Sequence, residues 1–417
     1  MVRMFVVAPD TPRRSCPRLT PNDKLYTRTG ADAVLVERLD GIERADKAAW
    51  RALEPQDFPF FDFEFLRALE RSGSIGSPSG WSPVYLVCRD EKERGRLLGA
   101  LCLYLKTDSY GEYIFDWEWA RAYERHGLLY YPKLVAAVPF TPATGPKLLV
   151  RPDVGQATRA TVTRALLEAA QSLVNELRVS SAHALFLPEG EVDDFAQQGF
   201  AVRHSLQFHW RNPGYCAFSD YLGALKSKRR GQIRRERRQL RDEGLIIERL
   251  TGEGLNRDHA DTMYRFYLGT FDKKWGFPYL NEAFFYEAFR TMRDRILLVL
   301  ARDELSRRPV AGALFFFKGR SLYGRYWGAA EERRNLHFEV CYYQGIEFAI
   351  ERGFGLFEAG AQGEHKLARG FLPTLTYSAH QIRHLGFRRA IEQYIAEEKE
   401  MLAGAMAAYA EHDPYKR

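Results

Sequence analysis

ILLVLARDELSRRPVAGALFFFKGRSLYGRYWG, residues 296–328, reads as three strands in succession: ILLVLA (296–301), VAGALFFFK (310–318) and SLYGRYWG (321–328). Polar turn chemistry bounds them, Arg302 to Arg308 between the first pair and Gly319 with Arg320 between the second. Connections this short join antiparallel neighbours, so the spacing predicts a meander. Leu336 to Arg352 follows, apolar on most sides through Val340, Tyr343, Ile346, Phe348 and Ile350 and closed by Gly353. That pattern predicts a buried helix with a glycine at its C-terminal cap. A short strand, LFEAG (356–360), and the polar loop AQGEHKLARGF (361–371) complete the order meander, helix, strand, loop.

Upstream of the meander, Lys226 to Arg241 carries nine Lys or Arg against one acid, Glu236, a local charge of +8 in a chain whose formal charge is +7. The basicity belongs to one element, a helix expected over 222–241, and not to the whole surface. Further helices are expected around His259 to Thr270 and Glu282 to Arg293. Nearer the N-terminus, strand-like and helix-like segments alternate: VLVER (34–38), a helix near Asp62 to Ser72, PVYLVCR (83–89), RLLGALCLYLK (96–106), a long helix through TRALLEAAQSLVNEL (163–177), HALFLP (183–188) and AVRHSLQFHW (201–210). Asn212, Pro213 and Gly214 supply a turn, and we place a boundary there. The expected organisation is α/β (α+β): a disordered leader over 1–30, lobes over 31–211 and 212–390 with a cleft between them, and a C-terminal helix and tail over 391–417.

Length and composition agree with two folded lobes. A chain of 417 residues exceeds what one hydrophobic core usually supports, and 46% hydrophobic with 14% aromatic residues argues against disorder. Cys16, Cys88, Cys102, Cys216 and Cys341 have no CxxC spacing, which suggests neither a disulfide framework nor a cysteine-rich zinc site. No apolar run approaches the 18 residues of a membrane span, and the N-terminus lacks the apolar stretch of a secretory signal, so a cytoplasmic location is expected. Oligomeric state stays open.

Three strings carry a family resemblance. YLGALKSKRRGQIRRERRQLRDEGLIIERL (221–250) is similar to the opening of the second lobe in Fem peptidoglycan aminoacyl-transferases, and CYYQGIEFAIERGFGLFEAGAQGEHKLARGF (341–371) resembles their helix, strand, glycine and lysine sequence. KTDSYGEYIFDWEWARAYERHGLLYYPKLVAAVPFTPATG (106–145) resembles a family described as peptidoglycan biosynthesis or recognition proteins. The resemblance implies two tandem lobes of the GNAT (acyl-CoA N-acyltransferase) superfamily and an acyl- or aminoacyl-transferase. Typical acetyltransferases hold the pyrophosphate of acetyl-CoA with a glycine-rich turn at a helix N-terminus. Here EERRNLHFE (331–339) stands at that place without a glycine pair, which tilts the implied donor from acyl-CoA toward aminoacyl-tRNA. No tightly bound cofactor is implied. The implied partners are a small-molecule or muropeptide-precursor substrate and tRNA.

Acyl transfer to an amine needs a group for the ammonium proton, donors for the developing oxyanion, and a site that holds both reactants. The loop after the LFEAG strand offers Glu364 or His365 as base and Lys366 and Arg369 as anion binders. A solvated surface loop is the plain alternative. Within Tyr110 to Trp119, the even spacing of Glu112, Asp116 and Glu118 predicts a strand with these acids and Tyr110 on one face and Tyr113, Phe115, Trp117 and Trp119 on the other. Asp116 is then a second candidate base, Tyr110, Glu112 and Trp117 line a substrate pocket, and Lys133 pairs an acid. An amphipathic edge strand is the alternative. Lys226, Arg229, Arg230, Arg234 and Arg237 are the candidate polyanion contacts, weighed against a merely solvated helix face. His380 and His384 lack a third ligand, so no metal is expected. A catalytically inactive GNAT-like scaffold that binds peptidoglycan fragments or RNA is the competing reading.

Overall fold

The computed structural model describes residues 24–25, 34–92, 95–272, 277–360 and 363–416. In the N-terminal half the strands are β1 (Lys24–Leu25), β2 (Val34–Leu39), β3 (Trp81–Asp90), β4 (Leu97–Lys106), β5 (Lys133–Ala136), β6 (Leu148–Val150), β7 (Ser181–Leu187) and β8 (Ala201–Arg211). Its helices are α1 (Lys47–Arg51), α2 (Phe63–Arg71), α3 (Trp117–Arg125), α4 (Gln156–Glu176) and α5 (Val192–Gln197). The C-terminal half contributes β9 (Leu245–Leu250), β10 (Ile296–Asp303), β11 (Pro309–Lys318), β12 (Ser321–Ala329), β13 (Leu356–Glu358) and β14 (Leu372–Ile382). Its helices are α6 (Phe218–Ala224), α7 (Ser227–Asp242), α8 (Arg257–Asp272), α9 (Glu282–Thr291), α10 (Leu336–Phe338), α11 (Gln344–Glu351) and α12 (Leu385–Glu411). A π-helical turn, Glu339–Tyr343, joins α10 to α11.

All the strands belong to one mixed sheet, ordered β1-β2-β3-β4-β5-β7-β14-β8-β13-β12-β11-β10-β9, with β6 beside β4. The meander β10-β11-β12 is antiparallel, and the helix that follows returns the chain to lay β13 parallel to β12. The N-terminal half repeats the parallel feature with β5 and β7. The two halves do not close separately. Strand β14 inserts between β7 and β8, and β8 pairs β13 on its other side, so each half contributes a strand to the junction. The turn at Asn212 ends β8, as the sequence suggests, but the hydrogen bonding runs through it.

One sheet face carries a core common to both halves, in which Phe60 and Phe65 meet Phe316 edge-on and Phe65 meets Phe284. The Lys318 ammonium reaches Asp62 at 2.5 Å beside that core and ties β11 to the start of α2. The opposite face packs against α4 in the first half and against α6, α7 and α11 in the second.

Four expectations change. The Tyr110 to Trp119 stretch is not a strand: residues 107–116 form a loop and Trp117 begins α3. The loop needs Gly111 at φ 78°, where a Cβ would meet the Phe140 ring at 2.5 Å, and its acids turn inward to Lys133 rather than share a strand face. The expected basic helix over 222–241 is broken at Leu225, which is extended, buried and bridged to Tyr415, and Lys226 N–H bonds to the Pro414 carbonyl. The C-terminal helix begins at Leu385, ahead of the expected 391, and docks through Ile391, Ile395 and Glu398. Of the expected leader, Lys24 and Leu25 pair with β2 and the remainder lies outside the described residues.

Candidate functional site

Strands β12 and β13 are in register only from Ser321 to Tyr323, opposite Leu356 to Glu358; β12 then continues to Ala329 while β13 stops. Such a parting of parallel strands at their carboxyl ends is where α/β sheets open to ligands. Glu358 is the last paired residue and is buried, with His209 of β8 as its other neighbour. Its Oε2 accepts the Thr144 N–H at 3.1 Å, and Oε1 has no partner. Burial pushes its pKa up to about 8, although Thr144, Lys147 and the Arg211 and Arg325 guanidiniums act the other way.

A polar stripe runs from Glu358 along the same face of β8. His209 Nε2 lies 3.8 Å from Glu358 Oε1 and 3.0 Å from Gln207 Oε1. The Gln207 amide nitrogen donates to the Pro142 carbonyl at 3.2 Å, so its oxygen faces His209. His209 therefore carries its proton on Nε2 and presents Nδ1 as a buried acceptor with no partner. Burial lowers its pKa to about 3, which keeps the ring neutral. Thr144 Oγ1, Arg325 Nε and Thr376 Oγ1 are also buried and unpartnered. Native interiors leave few such atoms, and five at one junction mark a place where ligand or water completes the bonding.

Beyond Gln207 the stripe floors a cavity of about 210 Å³ lined by Tyr113, Ile114, Phe115, Phe186, Arg203, Ser205 and Thr376. Among the described residues six non-glycine residues have positive φ, and three are aromatics at this junction: Tyr113 (63°), Phe140 (58°) and Phe186 (57°). Phe186 sits where the β7–β14 register slips, and its carbonyl turns to accept from Lys147. A bulky residue in the left-handed region costs on the order of 1–3 kcal/mol, and such strain gathers at ligand sites.

The loop singled out from the sequence folds as a 3-10 turn against this region. The side chain of Glu364 lies outside the described residues. His365 is exposed and its Nε2 is 2.8 Å from the Tyr342 hydroxyl. Lys366 is buried and donates to the Gly360 carbonyl at 2.6 Å; burial lowers its pKa to about 8, with the Glu358 charge opposing. Arg369 is spent on the protein, donating to Glu236 at 3.0 Å, to the Tyr343 hydroxyl at 2.9 Å and to the His365 carbonyl at 2.9 Å.

The acids of the first half gather around Lys133 instead. Its buried ammonium donates to Glu112 at 2.8 Å, Asp116 at 2.5 Å and Ser109 at 2.8 Å. Burial raises both carboxyls. For Asp116 the Lys133 charge and hydrogen bonds outweigh burial and hold it well below the usual range, whereas Glu112 is pushed up to about 7. Tyr110 and Trp117 stand outside this cluster and meet edge-on at 5.2 Å. Lys133→Met is expected to cost about 3–5 kcal/mol, because it leaves buried carboxyls unpaired; urea unfolding of the variant checks this. His380 lies on β14, not a helix, with its Nδ1 2.7 Å from that of buried His183. No group of three or more His, Cys, Asp or Glu is placed to hold a metal among the described residues.

On α7, Arg237 turns inward to Glu339 at 3.0 Å and Glu347 at 2.8 Å, and Lys226 bonds the Asp413 carbonyl. Arg229 and Arg230 are half-buried and bond Gln232 and the Leu225 carbonyl. Lys228, Arg234, Arg235, Arg238 and Arg241 are exposed and make no ion pair with a described residue.

The family model for FemAB-like proteins, described as peptidoglycan biosynthesis/recognition, matches residues 41–417. The chain belongs to this family. Its fold is also that of FemX, whose crystal structure superposes with a TM-score of 0.50 at 11% identity, covering 85% of this chain and 99% of FemX. L-PGS from Bacillus licheniformis (TM-score 0.47, 10% identity, 79% and 95% covered) and a tandem GNAT protein from the clavulanic acid biosynthesis pathway (0.44, 14%, 84% and 98%) are further similar structures. No curated protein matches the sequence. No helix of the described residues is long and apolar enough to cross a membrane.

Within this FemAB-like chain, Glu358, His209 and Gln207 are the residues that sequence reasoning missed. A signal was present: Ser205, Gln207 and His209 alternate with Leu206, Phe208 and Trp210 in β8, and Glu358 is an acid inside a short strand after a buried helix. Polar alternation on a central strand with no solvent to face marks an internal polar site.

Proposed function

We propose that the protein transfers an acyl or aminoacyl group to an amine on a peptidoglycan or other cell-envelope precursor, at the junction of its two halves. The observation that carries this reading is Glu358: a buried carboxyl with a raised pKa and one free oxygen, among unpartnered polar groups where β12 and β13 part. In the reaction the amine nitrogen attacks the acyl carbonyl carbon, the donor's ester or thioester bond breaks, and the ammonium proton passes to the ionised form of Glu358. A base with a pKa near the working pH suits that task. Arg325, whose charge acts on Glu358, and Lys366, on which the Glu358 charge acts, are the proposed stabilisers of the oxyanion. Arg369 and Asp116 serve structure in this reading, because their bonding capacity is already used.

The unpaired cations of α7 favour a polyanionic donor, aminoacyl-tRNA, over acyl-CoA. Thermal unfolding with acetyl-CoA, longer acyl-CoAs, aminoacyl-tRNA and UDP-linked muropeptide precursors tests both donor and acceptor. A ligand at a hundred times its Kd adds about 2.7 kcal/mol. Stabilisation by aminoacyl-tRNA and by a muropeptide precursor is expected. Stabilisation by a CoA ester alone would replace the donor, and none by any ligand would favour the non-catalytic scaffold.

A further inference from the structure

Residues 140–147, between β5 and β6, reach from the first half to the Glu358 cluster and hold three of its side chains through backbone groups. The Phe140 carbonyl accepts from Arg325, the Pro142 carbonyl accepts from Gln207 at 3.2 Å, and the Thr144 N–H donates to Glu358 Oε2 at 3.1 Å. Further bonds fix the segment in place. The buried Lys147 ammonium donates to the Gly145 carbonyl at 2.5 Å and to the Phe186 carbonyl at 3.0 Å, and the Gly145 N–H bonds the Phe186 carbonyl as well, at 3.2 Å. Gly145 packs so close to the Phe58 ring that a Cβ there would lie 2.3 Å from it.

That frame sets Thr144 beside Glu358. The Thr144 hydroxyl is buried and unpartnered, as is Glu358 Oε1, while the Thr144 N–H already grips the other carboxylate oxygen. Thr141, the other threonine of the segment, spends its hydroxyl on the Pro139 carbonyl at 3.1 Å. The remaining unpartnered groups of the junction offer no acceptor beside Glu358. His209 meets Glu358 with Nε2, the nitrogen that carries its proton; Arg325 Nε only donates; and Thr376 lies in the cavity, which Glu358 does not line.

The nitrogen of a primary amine carries two N–H groups and one lone pair. Glu358 Oε1 accepts the N–H whose proton it later takes, and the other needs a second acceptor if it is not to be buried unpaired. With both held, the lone pair has one direction left, toward the acyl carbonyl carbon. A secondary amine or an alcohol has a single hydrogen to give and leaves one acceptor empty. We infer that Thr144 Oγ1 is the second acceptor for the attacking nitrogen, and that Thr144 and Glu358 together select primary amines over secondary amines and alcohols. Thr144 neither gains nor loses a proton in the step. The inference rests on the transfer proposed above and adds a residue and a selectivity to it.

Ammonium ions of equal charge and different N–H count test it: methylammonium has three, trimethylammonium one and tetramethylammonium none. Their chlorides are titrated into the full chain at pH 8.5, above the Glu358 pKa of about 8, and followed by saturation-transfer NMR. Wild type is expected to bind methylammonium saturably and at least tenfold tighter than trimethylammonium, with no saturable binding of tetramethylammonium. Thr144→Ser should keep that preference. Thr144→Val should bring methylammonium and trimethylammonium within threefold of each other, with a melting temperature no lower than wild type, since the hydroxyl removed has no partner to lose. No saturable methylammonium binding, no preference in wild type, or a preference intact in Thr144→Val would each overturn the assignment. Glu358→Gln separates the two failures. If it loses methylammonium while Thr144→Val keeps the preference, the base stands and Thr144 falls; if it binds methylammonium as wild type does, the base falls and the inference with it.

Discussion

Replacing Glu358 with glutamine is expected to lower acyl or aminoacyl transfer by about 10²- to 10⁴-fold, the usual contribution of a positioned general base, and to make the protein more stable than wild type at alkaline pH. Both effects have one cause, the cost of ionising a carboxyl enclosed at the sheet junction. Folding raises the Glu358 pKa from 4.5 to about 8. A group raised in this way contributes its full stability below 4.5 and loses it as the pH rises toward 8, because the unfolded chain ionises freely and the folded one does not. The slope is about 1.4 kcal/mol per pH unit within that window. Glutamine keeps the shape and cannot ionise, so the stability difference should widen in its favour between pH 5 and pH 8. Urea midpoints across that range measure it, and transfer assays at saturating substrate measure the rate. Parallel stability curves would show that Glu358 ionises as readily folded as unfolded. An undiminished rate would remove it as the base.

What the sequence disclosed follows how local each feature is. The meander was legible because its turns are short, and the buried helix because apolar residues cover most of its sides. The parallel placement of β13 beside β12 follows from having a helix between them. The junction was not legible. It depends on β14 pairing β8 across about 170 residues, and the LPTLTYSAHQI run is short enough to read as helix or strand. Even spacing misled at Glu112, Asp116 and Glu118: two of these acids answer to Lys133, 21 and 17 residues away, and not to each other. The same stretch still reaches the cavity through Tyr113, Ile114 and Phe115, the residues between the ones the pattern singled out. Arg237 and Arg369 looked like free cations because Glu339, Glu347 and Glu236, which neutralise them, are brought close only by tertiary packing.

That sorting of cations yields the second large effect. Changing Lys228, Arg234, Arg235 and Arg238 together to glutamine is expected to abolish most binding of bulk tRNA at physiological salt while leaving the melting temperature unchanged. None of the four pairs with a described residue, so folding loses no ion pair. Each phosphate contact contributes a slope of about −0.7 to −0.9 to log K against log salt, so four fewer should flatten the plot by about 3. The contrasting variant is Arg237→Gln. Arg237 holds buried Glu339 and half-buried Glu347, so its loss should destabilise the fold by about 3 kcal/mol and leave the salt slope nearly as in wild type. Filter binding from 50 to 300 mM salt, with thermal unfolding of each variant, separates the two. A fourfold variant that binds tRNA with the wild-type slope would leave the α7 cations as a solvated face and return the donor to a small molecule. A slope lost in Arg237→Gln alone would mean that tRNA displaces the Arg237–Glu339 pair, and α7 would then have to shift from its place on the sheet when the donor binds.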